Sequence, residues 1–238
     1  MAKIIAGNFK MNKTKSEVAS YCKELLALIA KDKNNFIIIP PFTLISTAKE
    51  QLGERGSVGA QNCAIAEKGA YTGEISAEMV ADSGAKYCLI GHSERRHIFG
   101  ETNEDVCKKI DMAQNAGLHV ILCVGELLEE HNKLKSVLKA QLNALKGKKL
   151  NNVIVAYEPV WAIGTGKVAT KEDIVKAHLY IKEYVKKEFN TNIKVLYGGS
   201  VKPENCKEIL ALDCVDGVLV GGASLDAKKM AEMIKIAK

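Results

Sequence analysis

The chain has 238 residues, of which 47% are hydrophobic and 26% are charged, and its formal net charge is +6. These values fit a globular protein and exclude a disordered chain. No apolar run approaches the roughly 20 residues that cross a bilayer, so we expect no membrane contact. The seven cysteines include no C-x-x-C pair, which favours reduced thiols over disulfides or zinc. We therefore expect a cytoplasmic protein that binds no metal.

The positive net charge favours an anionic partner. The lysines are dispersed along helical patterns and form no basic run with interleaved aromatic residues. Nucleic acid is therefore not the expected partner. A small phosphorylated molecule would suit such a field, although charge alone does not identify it.

Short apolar runs, typical of parallel strands that are buried on both faces, recur along the chain. They lie at about 4–9, 36–39, 57–61, 87–91, 118–124, 152–157, 193–197 and 216–220. Amphipathic helical patterns separate them, and no linker rich in Pro, Gly or Ser divides the chain. This alternation predicts a single α/β domain over residues 1–238, with either a closed barrel or an open doubly wound sheet.

Two polar side chains, Asn8 and Lys10, stand at the end of the first apolar run. Strand alternation places both on one face, where Lys10 could direct its charge toward a bound anion. A lysine at a strand end also commonly extends into solvent, and this segment alone does not separate the two interpretations.

A histidine, His92, follows the fourth apolar run and precedes residues that are typical of the first turn of a short helix. The positive end of a helix dipole opposes protonation, so a neutral imidazole there could donate a hydrogen bond to a substrate oxygen. An isolated histidine is more often a structural residue.

The sixth apolar run stops at a carboxylate, Glu158, which is followed by Pro159. Proline favours extended geometry in its predecessor, so Glu158 should project from the C-terminal end of the strand, where parallel α/β folds keep their sites. The next residues read VWAIGTGK, which is too apolar for a solvated connection. They predict either a lid over bound ligand or a loop packed permanently on its own domain. Thr170 and Asp173 then predict the capped start of a helix.

Three loops contain residues that could offer backbone N–H groups to a phosphate. The candidates are Gly164, Gly166, Ser200, Gly221 and Gly222. The last two loops follow the seventh and eighth apolar runs, a usual place for phosphate in α/β barrels. Each loop alone is equally compatible with a tight turn.

Five motifs, taken together, resemble the triosephosphate isomerase family over the whole chain. In the family's order they are GNFK at 7–10, GHSERR at 91–96, EPVWAIGTGK at 158–167, YGGS at 197–200 and VGGASL at 220–225. The resemblance implies a single (β/α)₈ barrel that interconverts dihydroxyacetone phosphate and glyceraldehyde 3-phosphate without a cofactor. It implies Glu158 as the base, His92 as the electrophile, Lys10 and Asn8 as partners of the substrate anion, and Glu94 as the residue that organises them.

The resemblance also implies a closing lid at residues 159–169 and a homodimer. Residues 62–76 resemble the family's intersubunit loop, with Thr72 reaching the neighbour's site near Asn8 and Lys10. A self-packed surface loop is the alternative. One segment departs from the family, which usually carries an Arg-Glu-x-Gly-x-Thr-like stretch where residues 127–135 read LLEEHNKLK.

Two other functions would share part of this pattern. Another phosphosugar barrel, such as an epimerase or aldolase, would have the terminal glycine loops, but should add metal ligands at strand ends or a lysine at the end of a central strand. An inactive barrel used for protein interactions would be expected to lose Glu158, His92 or Lys10, and all three are present.

Overall fold

A computed structural model describes residues 3–29, 36–163 and 169–237. Eight parallel strands form a closed barrel in sequence order. They are β1 (Ile4–Asn8), β2 (Phe36–Ile39), β3 (Ser57–Ala60), β4 (Tyr87–Ile90), β5 (His119–Val124), β6 (Val153–Tyr157), β7 (Lys194–Tyr197) and β8 (Gly217–Val220). The predicted runs match these strands to within one residue at either end. Closure of the sheet selects the barrel over the doubly wound alternative.

Each strand is followed in sequence by at least one helix. The helices are α1 (Lys15–Leu28), α2 (Ile45–Leu52), α3 (Ala77–Asp82), α4 (Ser93–His97), α5 (Asn103–Asn115), α6 (Leu134–Leu142), α7 (Lys171–Phe189), α8 (Pro203–Leu210) and α9 (Ala227–Ile236). Thr170 caps α7, and Asp173 completes the predicted capping box. Among the described residues, no helix combines the length and apolar character needed to cross a membrane.

Alternate strand residues supply two apolar layers. The layer inside the barrel contains Ile4, Ala6, Ile37, Ile39, Leu89, Ile121, Cys123, Ile154, Ala156, Leu196 and Leu219. The second layer lies between the barrel and the helices, and Ile5 and Ile38 of the same strands belong to it. Because both faces of each strand are covered, the sequence shows continuous apolar runs instead of an alternating pattern.

The barrel closes at a seam between β8 and β1, where Gly217 pairs with Ile4. A Cβ atom on Gly217 would lie 2.1 Å from the Ile4 carbonyl oxygen. Only glycine therefore allows the two backbones to approach at this point.

All seven cysteines are free thiols, and six are buried. Burial raises the pKa of Cys22 to about 12 and that of Cys206 to about 11. Thiols that stay protonated are poor nucleophiles. Cys22 and Cys206 therefore act as small core residues.

Candidate active site

A cavity of about 690 Å³ opens at the C-terminal ends of the barrel strands. Its lining includes seven residues that the sequence predicted, namely Asn8, Lys10, His92, Glu158, Ser200, Gly221 and Gly222. Gly164 and Gly166 lie outside the described residues. The topology thus brings residues from five strand ends, far apart in the chain, to one place.

The backbone of Glu158 is held by both neighbouring strands. Its N–H donates to the Val124 carbonyl at 2.7 Å, and the N–H of Gly198 donates to the Tyr157 carbonyl at 2.7 Å. Gly125 allows close approach, because a Cβ atom there would lie 1.8 Å from the Glu158 carbonyl oxygen. The ends of β5, β6 and β7 therefore fix the point from which the Glu158 side chain projects.

The Glu158 carboxylate is 2% exposed and has a partner for each oxygen. Oε2 accepts a hydrogen bond from the backbone N–H of Ser93 at 2.9 Å, and Oε1 lies 3.1 Å from Nε2 of His92. Ser93 is the first residue of α4, so the carboxylate also meets the positive end of that helix. The two principal candidate side chains are therefore in direct contact.

His92 caps the start of α4, as the sequence pattern predicted for this helix. Its Nδ1 accepts a hydrogen bond from the Glu94 backbone N–H at 3.2 Å. Because Nδ1 is an acceptor, a neutral imidazole carries its proton on Nε2. That N–H faces Glu158 at the cavity.

Arg96 ties α4 to the barrel. Its Nε donates to the Gly91 carbonyl at 2.7 Å, and a terminal nitrogen donates to the Cys123 carbonyl at 3.2 Å. These bonds join the ends of β4 and β5, so Arg96 positions the helix that carries His92.

Lys10 has a left-handed backbone conformation, with φ of 51°. Such a conformation is uncommon outside glycine and marks a position that its surroundings determine strongly. The Lys10 N–H donates to Asn8 Oδ1 at 2.9 Å, the Gln61 side chain donates to the Lys10 carbonyl at 2.8 Å, and Lys10 Nζ lies 2.5 Å from Glu94 Oε1. Glu94 therefore contacts Lys10 directly, and Gln61 is a positioning residue that the sequence did not reveal.

The glycine loops after β7 and β8 also line the cavity, and Gly221 lies beside the Lys10 side chain. Gly221 and Gly222 begin a 3₁₀ turn after β8. The backbone N–H and the hydroxyl of Ser200 both donate to the Ala162 carbonyl, at 3.1 and 2.7 Å. Ser200 thus lines the cavity while its donors hold the loop that follows Glu158.

Two lysines that the sequence analysis did not single out also line the cavity, namely Lys202 and Lys229. Lys202 precedes Pro203 at the start of α8, and Lys229 lies in the first turn of α9, where Asp226 is the cap. Together with Lys10 they give the lining three lysines, against the two carboxylates Glu158 and Glu204, and this positive balance favours an anionic ligand. In the sequence, both lysines stand at the starts of helices that follow the glycine loops, and this position could have identified them as site residues.

A fully buried carboxylate, Glu126, holds the segment that follows Glu158. Its Oε1 accepts hydrogen bonds from the Tyr157 hydroxyl at 3.1 Å and the Trp161 indole N–H at 2.9 Å, and it lies 3.1 Å from Nδ1 of His131. The Glu126 carbonyl accepts from the Val160 N–H at 3.0 Å. We call Glu126, Tyr157, Trp161 and His131 the Glu126 cluster. One signal for this cluster was visible in the sequence, namely a carboxylate two residues after the end of a buried strand.

Thr72 lies apart from this cavity. It is exposed, and the loop that carries it is closed at its base by a 2.8 Å hydrogen bond from the Ala64 N–H to the Ile75 carbonyl. The chain's own fold therefore does not bring Thr72 to Asn8 or Lys10.

The assembled groups define a class of protein. A buried carboxylate, an imidazole N–H and a lysine converge in one cavity whose lining has more lysines than carboxylates. This combination suits an enzyme that moves a proton within a small anionic substrate. The fold and the site together describe an α/β-barrel enzyme of acid–base chemistry.

Comparison of the chain with known proteins identifies a family of such enzymes. A profile of the family described as triosephosphate isomerase matches residues 3–237. The triosephosphate isomerase of Nitratidesulfovibrio vulgaris is 47% identical, over 98% of this chain and 99% of that protein, and the one of Geotalea uraniireducens is 45% identical, over 99% and 98%. A crystal structure of triosephosphate isomerase from Bartonella henselae matches with a TM-score of 0.90 and 39% identity, over 99% of both chains.

The chain belongs to the triosephosphate isomerase family, and it is therefore an isomerase. Family membership sets aside the epimerase, aldolase and inactive-barrel alternatives.

Proposed function

We propose that this chain interconverts dihydroxyacetone phosphate and D-glyceraldehyde 3-phosphate, a step of glycolysis and gluconeogenesis, in one barrel domain and without a cofactor. The observation that carries the proposal is the contact between the Glu158 carboxylate and the His92 imidazole in a cavity that also presents Lys10. The reaction needs a base, a donor to the developing oxyanion and a grip on the phosphate. A cytoplasmic location is part of the proposal, since seven free thiols suit a reducing compartment.

Glu158 acts as the base. It takes a proton from the carbon beside the carbonyl group, and the electron pair of that C–H bond forms the double bond of an enediolate. The same carboxyl group then returns the proton to the neighbouring carbon, while the proton of the substrate hydroxyl passes to the oxygen that had become negative, which completes the isomerisation. The His92 Nε2–H donates to the oxygen that becomes negative, and the Lys10 ammonium adds positive charge.

Substrate binding must rearrange the contacts described above. Both oxygens of Glu158 are engaged, by the Ser93 N–H and by His92. Because Oε1 faces the His92 imidazole, the carboxylate must turn from His92 before this oxygen can face a substrate carbon. The His92 Nε2–H must likewise turn from Glu158 to a substrate oxygen. Separation of this one contact therefore makes both catalytic groups available.

The phosphate is bound by backbone N–H groups of Gly221, Gly222 and Ser200, together with Gly164 and Gly166. Gly221, Gly222 and Ser200 line the cavity beside helix starts, and this position supports the proposal. Because Ser200 donates to Ala162 in this structure, phosphate binding and movement of the loop after Glu158 are linked through Ser200.

Residues 159–169 act as a lid, and the family's own closing loop is a standard example of such a device. An enediolate phosphate can expel its phosphate group in water, so closure protects the intermediate. Hydrogen bonds hold the first part of this segment at Val160, Trp161 and Ala162. These bonds define the fixed end of the proposed lid. The central part, 164–168, lies outside the described residues.

We also propose a homodimer in which Thr72 reaches the neighbour's site. Several large apolar side chains are exposed on connections after β1, β3 and β4, and they are Met11, Ile65, Tyr71, Ile98 and Phe99. Exposed apolar surface of this kind commonly marks an interface. Thr72→Arg should dissociate the dimer in sedimentation experiments, and Asn192→Arg, on the connection before β7, should not. An active monomer at micromolar concentration would contradict the proposal.

The isomerase proposal is tested by a coupled assay of the purified protein with glyceraldehyde 3-phosphate, with and without a chelator. We expect equal activity in both conditions. Correctly folded protein with no activity contradicts the proposed function, and loss of activity with the chelator contradicts its independence of metal.

A further inference from the structure

Two of the three lysines that line the active-site cavity have no partner for their charge. Lys202 and Lys229 are exposed, and neither ammonium group forms an ion pair within the part of the chain that the structure describes. Lys10, the third lysine, differs because its Nζ lies 2.5 Å from Glu94 Oε1. Lys202 and Lys229 therefore bring to the cavity a positive charge that the protein itself does not neutralise.

We propose that Lys202 and Lys229 form a second anion subsite, which binds one phosphoryl group of a small diphosphate. The other phosphoryl group of that ligand lies on the phosphate loops, namely the loops that carry Ser200 and Gly221–Gly222. We call the two ammonium groups the lysine subsite. The inference rests on the proposed function in one respect, namely that the phosphate loops bind a phosphate. It makes diphosphates competitors of the substrate.

The backbone N–H groups of these lysines are already engaged. At the start of α8, the Lys202 N–H donates to Asn205 Oδ1 at 2.8 Å. At the start of α9, the N–H groups of Lys228 and Lys229 both donate to Asp226 Oδ1, at 2.8 and 3.1 Å. The two lysines can therefore bind an anion only through their side chains. This distinguishes the lysine subsite from the phosphate loops, whose proposed donors are backbone N–H groups.

Short hydrogen bonds join both helix starts to the phosphate loops. In the first turn of α8, Asn205 Nδ2 donates to the Ser200 carbonyl at 3.0 Å. After β8, the hydroxyl and the N–H of Ser224 donate to the Gly221 carbonyl at 2.7 and 2.8 Å, and α9 begins three residues later. A ligand that reaches both the loops and the lysines therefore needs two anionic groups close together, as in a diphosphate. The flexible stem of a lysine suits such a second contact.

The cavity has room for a second phosphoryl group. Its volume is about 690 Å³, and sites of roughly 300–1,000 Å³ hold ligands that are much larger than a triose phosphate. The lining also includes an exposed carboxylate, Glu204, two residues after Lys202. Its negative charge opposes a second phosphoryl group. Removal of Glu204 and removal of the lysines should therefore change diphosphate binding in opposite directions.

Titrations with inorganic phosphate and inorganic pyrophosphate test the lysine subsite. They are followed by ¹H–¹⁵N NMR at pH 7.5, at constant ionic strength and without divalent metal, and the measured quantity is the ratio of the two dissociation constants. The variants are Lys202→Gln, Lys229→Gln and Glu204→Gln. Lys228→Gln is the matched control, because Lys228 neighbours Lys229 on α9 but lies outside the lining of this cavity. All four side chains are exposed, so the variants should fold, and thermal melting checks this.

We expect the wild type to bind pyrophosphate about tenfold more tightly than phosphate, since each exposed ion pair contributes about threefold. Lys202→Gln and Lys229→Gln should each lower this preference about threefold, with a smaller change in phosphate binding. Glu204→Gln should raise the preference about twofold. Lys228→Gln should keep the wild-type ratio. Added salt should weaken the preference, because it screens exposed charges.

Equal affinity of the wild type for the two anions would overturn the inference. A preference that Lys228→Gln lowers as much as Lys229→Gln would do the same, because the general positive field of the protein would then explain it. A preference that survives in Lys202→Gln and Lys229→Gln would place the second phosphoryl group elsewhere. If the expected ratios appear in protein that lacks isomerase activity, the proposed function fails while the lysine subsite stands.

Discussion

Two connections flank Glu158, and they hold their side chains in different ways. The connection after β4 fixes His92 by local bonds, since Nδ1 accepts from the N–H two residues further along. The connection after β5 supplies Glu126, whose partners come from β6, from the loop after it and from the 3₁₀ turn Leu128–Lys133. The first connection fixes a chemical group by a bond from its own backbone. The second holds a loop mainly through the Glu126 side chain, with one backbone bond from the Val160 N–H to the Glu126 carbonyl.

This difference has a consequence for function. A group that must stay in one place is best held by short-range backbone hydrogen bonds, which the chain forms wherever the local sequence permits. A loop that must move needs contacts that can break without unfolding the barrel, and side-chain contacts between separate elements meet that need. Variants in the two connections can test whether one holds a fixed group and the other holds a loop that moves.

The largest effect is expected at Glu158 itself. Glu158→Asp retracts the carboxylate by about 1 Å, and a misplacement of that size lowers kcat on the order of 10²-fold. The charge and the fold should be retained, which circular dichroism can verify. Glu172→Asp, on the exposed start of α7, is the matched control. A near-wild-type kcat in Glu158→Asp would mean that another residue is the base.

The next effect should come from shortening the proposed lid by excision of residues 163–166. Isomerisation should fall by at least about tenfold, since a hydrogen bond to a charged group contributes about 1.5–3 kcal/mol. The barrel should remain folded, because Ile163, the described residue among these four, is not part of the buried core. The share of turnovers that release inorganic phosphate should rise. Normal isomerisation with no additional phosphate would assign these apolar residues to ordinary packing.

A smaller effect is expected from Glu126→Gln, which keeps the shape of the side chain but removes its charge. Bonds to an ionised acceptor are roughly twice as strong as neutral ones, so we expect a change of about fivefold in kcat/KM. The emission of Trp161 should change in the same variant. Glu129→Gln provides the control. Unchanged kinetics and emission would show that the Glu126 charge does not hold the loop.

The smallest effect on rate, but a clear effect on stability, is expected at His178. This fully buried side chain packs between Tyr157 and Tyr197, its Nδ1 is 3.3 Å from the Cys214 carbonyl, and its Nε2 has no partner among the described residues. Burial lowers the pKa of His178 to about 4. In the unfolded chain the ordinary value is roughly 6.5, so the folded state binds fewer protons between these values.

Folding stability should therefore be complete above about pH 6.5 and fall as the pH decreases toward 4, by about 3 kcal/mol in total for this one group. His178→Asn, which keeps a donor for Cys214, should weaken this dependence. Urea unfolding at pH 5 and 7.5 measures it, and kcat at pH 7.5 should be unchanged. Equal pH dependence in both proteins would show that His178 is protonated without loss of the fold.

The barrel and the centre of the site could be predicted because their signals are local. Strands covered on both faces are continuous apolar runs, and Glu158 and His92 directly follow two of them. The helix starts at Ser93 and Lys171 also have local capping signals. The resemblance then supplied what periodicity could not, namely closure of the sheet.

The Glu126 cluster could not be predicted, because its members lie up to 35 residues apart in sequence and meet only in the folded barrel. Ser200 shows the same limit, since no local pattern indicates that it donates to Ala162. The departure at residues 127–135 was visible in the sequence. The contacts that this segment makes could not be predicted from the sequence, because the partners of His131 depend on where α7 begins.

The seam at Gly217 also determines when the chain can finish folding. β1 needs β8 on one side, and β8 is the last strand to be synthesised. At about 5–20 residues per second, β1 waits roughly 10–40 s on the ribosome for that partner. During this interval an unpaired edge is available to other nascent chains, and such edges promote aggregation. A methyl group at Gly217 would keep β8 from pairing with β1, so the strand edge would stay exposed in the finished chain. One glycine near the end of the sequence is therefore a determinant of yield in the cell.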